Sequence, residues 1–139
     1  MTKREAALWV WEKQLGQPYL WMGDTPLAGF DCSGLVIEGL RAVGIIGRKD
    51  DYASYQLADM WPATTDIKPG CLVFWKRGER IRHVEIVWQR LEDGTVLTIG
   101  ASGGGSKTDN KQDAIDSDAY VKIRPAVQPW TLAVDPFAG

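Results

Sequence analysis

The sequence GFDCSGLV, residues 29–36, places a cysteine directly after an aspartate that can begin a helix. An aspartate in this position accepts hydrogen bonds from first-turn N–H groups, and the positive end of the helix dipole favours a thiolate at Cys32. Ser33 and Gly34 keep the helix start small, so another element can approach it closely. Since the chain contains only one histidine, His83, the pattern predicts a cysteine nucleophile paired with that imidazole.

Composition indicates an ordinary globular protein. The 139 residues suffice for one domain with a hydrophobic core, and 45 % of them are hydrophobic and 24 % charged. The net charge of −2 does not favour nucleic-acid binding, and no segment approaches the length of a membrane span. The densest basic run, residues 76–82, predicts a solvated hairpin or the border of a site for an anionic substrate. We expect neither nucleic acid nor membrane as a partner.

The two cysteines are predicted to be free thiols. A disulfide between Cys32 and Cys71 would remove the nucleophile, and free thiols fit synthesis in a reducing compartment. The first 13 residues contain no uninterrupted apolar stretch, so they do not predict a secretory signal.

Helix patterns precede strand patterns along the chain. Helical spacing or caps occur in residues 2–16, 32–43 and 51–61. Short apolar runs or alternation typical of strands occur in residues 71–75, 83–88, 95–99 and 119–124. This order predicts an α+β fold, with N-terminal helices packed on a C-terminal antiparallel β-sheet.

The remaining segments are predicted to be connections within a single domain, residues 1–139. Its core is expected over about residues 3–124, and prolines predict an irregular tail over residues 125–139. Residues 100–118 are rich in Gly, Ser, Asp and Lys, which indicates a flexible connection or a substrate-gating loop.

Four blocks resemble the NlpC/P60 family of cell-wall peptidases in order and spacing. They are GQPYLWMG (16–23), GFDCSGLV (29–36), KPGCLVFW (68–75) and HVEIV (83–87). The resemblance covers about residues 3–124 and implies a papain-like α+β domain. It also implies hydrolysis of an amide in the peptidoglycan stem peptide, commonly the bond between D-glutamate and diaminopimelate.

The same resemblance implies roles for individual residues. Cys32 would be the nucleophile and His83 the general base of a thiol acyl-enzyme mechanism that requires no metal or cofactor. Tyr19 would line the active site, with its hydroxyl near the thiol. Asp31 and Ser33 would shape the substrate pocket, with Asp31 a candidate partner for a free amine on the stem peptide.

This sequence departs from the family pattern at the residue that orients the imidazole. The family usually has a polar residue, often His, where the alignment places Gly100, which can offer only its backbone. The orienting role therefore falls to a backbone carbonyl near Gly100, to Ser102, to Glu85, or to Asp109 or Asn110 in the following loop. An acceptor for the second ring N–H is what the imidazole needs.

Two further departures concern Glu85 and Cys71. Glu85 replaces a residue that is usually small and, on a strand, faces the same side as His83. It is expected to orient His83, to bind a cationic substrate group, or to face solvent. Cys71 stands where the family often has Asp and is expected to be a buried strand thiol.

Three functions remain open. The first is a peptidoglycan stem-peptide endopeptidase; the second is an inactive wall-binding or phage structural protein of the same fold; the third is a thiol acyltransferase or amidase, such as an interbacterial effector. Without a signal peptide, a protein made in the bacterial cytoplasm and acting at the cell wall or periplasm suits a phage lysis or virion role. Other phage virion or lysis proteins are then candidate partners.

Overall fold

The computed structural model describes residues 1–20, 23–25, 29–102, 111–117 and 119–138. Its helices are α1 (Lys3–Glu12), α2 (Cys32–Ala42), α3 (Ser54–Leu57) and α4 (Lys111–Asp116). Its strands are β1 (Asp24–Thr25), β2 (Gly29–Phe30), β3 (Leu72–Arg77), β4 (Arg80–Arg90), β5 (Val96–Ser102), β6 (Tyr120–Pro125) and β7 (Leu132–Val134).

The main sheet has five antiparallel strands in the order β6-β5-β4-β3-β7. Strands β3 to β6 follow one another as neighbours, whereas β7 returns to the free edge of β3. Strands β1 and β2 form a separate antiparallel pair before α2. Helices preceding an antiparallel sheet confirm the predicted α+β class.

Helix α1 begins with the predicted capping box. The Thr2 hydroxyl accepts from the Glu5 N–H at 3.1 Å, and the Glu5 carboxylate accepts from the Thr2 N–H at 3.0 Å. The helix buries Trp11, whose Nε1 donates to the Leu35 carbonyl on α2 at 2.9 Å. A β-carbon on Gly39 would overlap the Trp11 ring, so the two helices can approach this closely only because position 39 is glycine.

Helix α2 lies at the centre of the molecule. One side packs on α1 and the other on β4 and β5. Its fully buried side chains are Leu35, Val36, Ile37 and Leu40. Burial of a large aliphatic side chain contributes about 1.5–3 kcal/mol, so this helix is held firmly against the sheet and its first turn is fixed with it.

Three sequence predictions were wrong at least in part. Residues 125–139 are not irregular throughout, because β7 pairs with β3 and its neighbour Asp135 binds Arg4 at 2.8 Å. The predicted helix over residues 51–61 is confined to Ser54–Leu57, since the bonds that follow are tighter turns such as Met60 N–H to the Leu57 carbonyl. Part of the predicted loop at residues 100–118 is regular, because β5 extends to Ser102 and α4 follows.

Candidate active site

A cleft of about 1070 Å³ opens between the first turn of α2 and the sheet. The residues predicted to form the site that line it are Tyr19, Asp31, Cys32, Ser33, His83 and Ser102. The structure therefore brings together residues from the N-terminal loop, α2, β4 and β5 that lie far apart in sequence.

The predicted cap places Cys32 at the first position of α2. The Asp31 Oδ1 atom accepts from the Gly34 N–H at 2.6 Å and from the Ser33 hydroxyl at 3.4 Å. A β-carbon on Gly34 would overlap the Gly23 carbonyl oxygen, so this glycine lets the preceding loop pack on the helix start. The Cys32 thiol is half-buried and lies 3.9 Å from the Arg82 carbonyl oxygen.

The imidazole of His83 lies between Cys32 and Glu85. Its Nε2 atom is 2.6 Å from the Glu85 Oε2 atom, and because an ionised carboxylate only accepts, Nε2 carries a proton. Nδ1 is then the nitrogen available to the thiol. Burial alone would lower the His83 pKa, but the hydrogen bonds and charges of Cys32 and Glu85 outweigh it and raise that pKa to about 9. The Trp75 ring flanks the imidazole, with ring centroids 5.5 Å apart.

Glu85 is fully buried on the side of His83 away from Cys32. Its Oε1 atom accepts from the Thr98 hydroxyl at 2.5 Å, and the Arg124 guanidinium donates to both oxygens. Burial by itself raises the Glu85 pKa, but the bonds from His83, Arg124 and Thr98 prevail and lower it to about 2. The expectation that Glu85 faces solvent was wrong. Its assignment as a substrate-binding residue was also wrong, because no atom of it is exposed to the cleft.

The predicted third positions, Gly100 and Ser102, do not hold the imidazole. A β-carbon on Gly100 would lie 2.5 Å from Cγ of Glu85, so the Glu85 side chain fills the space beside this glycine. The Ser102 hydroxyl is buried and has no hydrogen-bond partner among the residues described, so the expectation that it orients His83 was wrong. The other candidates, Asp109 and Asn110, lie outside the described residues.

Tyr19 lines the cleft and is 6 % exposed. Burial, followed by the charges of Cys32 and Asp31, raises its pKa. Thr98 and Arg124 were not among the site residues predicted from the sequence. Arg124 lies near the end of an alternating strand, but that pattern gives no signal that it pairs with Glu85.

Both cysteines are free thiols, as predicted. Within the described ranges, no three His, Cys, Asp or Glu side chains are grouped so as to hold a metal ion. No helix in the described part of the chain has the length and apolar character needed to cross a membrane.

Comparison with known proteins shows the family. The profile of the NlpC/P60 family matches residues 16–124. The murein DD-endopeptidase MepH of Escherichia coli (strain K12) is 39 % identical over 124 residues, which are 86 % of this chain and 45 % of that protein. The chain therefore belongs to the NlpC/P60 family, as its motifs predicted, and it spans less than half the length of this relative.

Solved structures confirm the fold. The NlpC/p60 domain of the peptidoglycan hydrolase SagA superposes with a TM-score of 0.66 at 23 % identity, covering 95 % of this chain and 97 % of that one. RipD from Mycobacterium tuberculosis, described as a non-catalytic NlpC/p60 domain protein adapted to peptidoglycan binding, superposes with a TM-score of 0.65 at 17 % identity. The two chains are covered to 96 % and 97 % in that superposition.

Proposed function

We propose that this protein is a cysteine peptidase that hydrolyses an amide bond in the peptide stem of peptidoglycan. The observation that carries the proposal is the meeting of Cys32, at a helix N-terminus, with His83 in an open cleft. A thiol with a neighbouring imidazole and the positive end of a helix dipole is the arrangement that activates cysteine for acyl transfer.

In the proposed reaction, His83 acts first as a general acid and then as a general base. The Cys32 sulfur attacks the substrate carbonyl, and the backbone N–H of Cys32 is a candidate donor to the oxyanion. The raised pKa of His83, about 9, keeps the imidazole protonated at neutral pH, so it can deliver a proton to the leaving amine. The neutral imidazole then takes a proton from a water molecule as that water attacks the thioester carbonyl, and the C–S bond breaks. The acyl group leaves as the carboxylic acid, and Cys32 is left as a thiolate beside the protonated imidazole.

The charges around the cleft suit a stem peptide. Lys76, Arg77 and Arg82 are exposed on its β3–β4 side, whereas Asp31 and Asp51 lie on its helical side. Stem peptides carry free carboxylates and, at diaminopimelate, an amine. We propose that the basic side receives the carboxylates and that the acidic side receives the amine.

Two bonds are candidates for cleavage. We propose the bond between D-glutamate and diaminopimelate, which the sequence resemblance implies. The name of the MepH relative, a murein DD-endopeptidase, favours as a second candidate an amide that joins two D-configured centres in the wall.

A non-catalytic wall-binding role is the alternative that the description of RipD favours. It was first motivated by the loss of a polar side chain at Gly100. The cleft of this protein retains the thiol and the imidazole, and a buried carboxylate binds Nε2, so the geometry favours the hydrolase. A phage lysis or virion setting, or delivery as an interbacterial effector, stays a prediction from the sequence.

The proposal is tested by mass spectrometry of purified peptidoglycan after incubation with the wild type, Cys32→Ala and Cys71→Ala. Cys71→Ala is the matched control, because Cys71 is fully buried directly before β3 and burial raises the pKa of its thiol. We expect new fragments from the wild type and Cys71→Ala, and none from Cys32→Ala.

The fragment masses identify the bond. Cleavage after D-glutamate leaves diaminopimelate with a new free amine, whereas cleavage of a cross-link separates two intact stems. Equal activity of Cys32→Ala, or no fragments from a folded wild type on walls of several chemotypes, would refute the peptidase. Retained wall binding by an inactive wild type would support the non-catalytic alternative.

A further inference from the structure

We propose that Glu85 is the positioning residue of His83, supplied from the same strand as the histidine, and that Gly100 on the neighbouring strand exists to make room for it. The catalytic meaning of this inference rests on the proposed function. The structural relationship among the three residues does not.

His83 and Glu85 lie two residues apart on β4. Because side chains alternate along a strand, residues 83 and 85 of β4 project from the same face, whereas Val84 and Ile86 pack in the core cluster that contains the buried side chains of α2. A contact between such neighbours is within reach of a glutamate, and the Nε2–Oε2 distance is 2.6 Å. That bond fixes which ring nitrogen carries a proton, and so leaves Nδ1 for the Cys32 thiol.

The Glu85 carboxylate is held in place by groups on neighbouring strands. A carboxylate can position an imidazole only if it is itself held in place. The Thr98 hydroxyl and the Arg124 guanidinium bind Glu85 from β5 and β6, in addition to His83. Three strands of the sheet therefore fix the Glu85 carboxylate, and its negative charge is matched by Arg124 although none of its surface is exposed.

The glycine at position 100 leaves room for the Glu85 side chain. A side chain on Gly100 would collide with Cγ, Cδ and Oε2 of Glu85, at 2.5, 2.6 and 2.9 Å from its β-carbon. No positive φ requires glycine there, so the need is for room beside Glu85 rather than for backbone freedom. The sequence departs from the family pattern by a large residue at position 85 and a missing side chain at position 100. We infer that these two departures are linked: the polar side chain that the family has on β5 is supplied here from β4, and the glycine on β5 makes room for it.

The test uses the only histidine of the chain, whose imidazole gives a single set of NMR signals in a protein without a histidine tag. We expect Glu85→Gln, which preserves shape, to lower the His83 pKa from about 9 towards the ordinary 6.5. Hydrolysis, read as kcat/KM, should fall by roughly 10²- to 10⁴-fold. Glu85→Asp keeps the charge beside Arg124 but withdraws it by one methylene, and it serves if Glu85→Gln does not fold.

The exchange itself is tested with Glu85→Gly and with Glu85→Gly combined with Gly100→Glu. The single variant should lose the raised pKa of His83, and the double variant should recover part of it because the carboxylate returns from β5. An unchanged His83 pKa in folded Glu85→Gln would overturn the positioning role. Failure of the double variant to exceed the single one would overturn the exchange.

These readouts separate the two proposals. If the wild type hydrolyses no wall while Glu85→Gln still lowers the His83 pKa, then the peptidase proposal fails and the positioning of His83 stands. If hydrolysis depends on Cys32 but not on Glu85, the peptidase stands and the positioning role fails.

Discussion

The carboxylate side chain of Glu85 occupies the space beside Gly100, where a β-carbon would lie 2.5 Å from Cγ of Glu85. The two residues belong to neighbouring antiparallel strands, and Glu85 is fully buried. A change at Gly100 therefore reaches the imidazole of His83 through Glu85, although Gly100 itself offers no side chain to the cleft.

Gly100→Ala should destabilise the protein by about 1–3 kcal/mol, because the added methyl group overpacks a filled site. Chemical denaturation measures this cost. In a Glu85→Ala background the same methyl group enters vacated space, so its cost should fall below about 0.5 kcal/mol. Equal costs in the two backgrounds would show that Gly100 does not contact Glu85 in solution.

Gly39→Ala should also be destabilising, although alanine is favoured over glycine in a helix by about 1 kcal/mol. The methyl group would overlap the buried ring of Trp11 and push α1 away from α2. We expect a net loss of about 1–3 kcal/mol in urea denaturation. In a Trp11→Leu background, where the ring is gone, the substitution should become neutral or stabilising; the same loss there would contradict the contact.

Asp135→Asn tests whether the C-terminal segment is part of the folded domain. Asp135 is buried and binds Arg4 of α1, which also donates to the Pro69 carbonyl at 2.9 Å. Removing one charge from this pair should cost about 1–3 kcal/mol. Asp66→Asn is the matched control, because Asp66 pairs with Lys68 on the exposed surface and should cost under about 0.5 kcal/mol. Similar small losses would indicate that the tail contributes little.

Local signals in the sequence predicted the elements that carry the nucleophile. The Thr2 capping box and the Asp31 cap appear in the structure where the sequence placed them, because each involves residues three positions apart. Alternation likewise predicted that His83 and Glu85 share a face of β4. It could not show that Glu85 is fully buried on this face, since that depends on packing between distant segments.

Contacts between residues that are distant in the sequence could not be predicted from local patterns. The bond from Arg124 to Glu85 requires the register of three strands, and the pair is separated by 39 residues. Strand β7 is three residues long and forms only because the edge of β3 is available to it. A short segment with nearby prolines is compatible with an edge strand, but its own pattern does not reveal the partner.

Ser102→Ala distinguishes a catalytic hydroxyl from an unsatisfied one. The Ser102 oxygen is buried without a hydrogen-bond partner in the described structure, and burying such a group costs about 1–3 kcal/mol. We expect the alanine variant to be equally stable or up to about 1 kcal/mol more stable, with kcat/KM on peptidoglycan changed by less than about threefold. A large loss of kcat with unchanged stability would show that the Ser102 hydroxyl has a catalytic role.

The pair of His83 and Glu85 should make stability depend on pH in a defined window. The His83 pKa is raised from 6.5 to about 9, so its contribution is complete below about 6.5 and disappears as the pH rises through about 9. The Glu85 pKa is lowered from 4.5 to about 2, so its contribution is complete above about 4.5 and disappears as the pH falls towards about 2. The free energy of unfolding of the wild type should therefore exceed that of Glu85→Gln most between about pH 4.5 and 6.5. The difference should shrink on both sides, in urea denaturation from pH 3 to 10. A difference that stays constant over this range would mean that the two groups do not stabilise each other's charges.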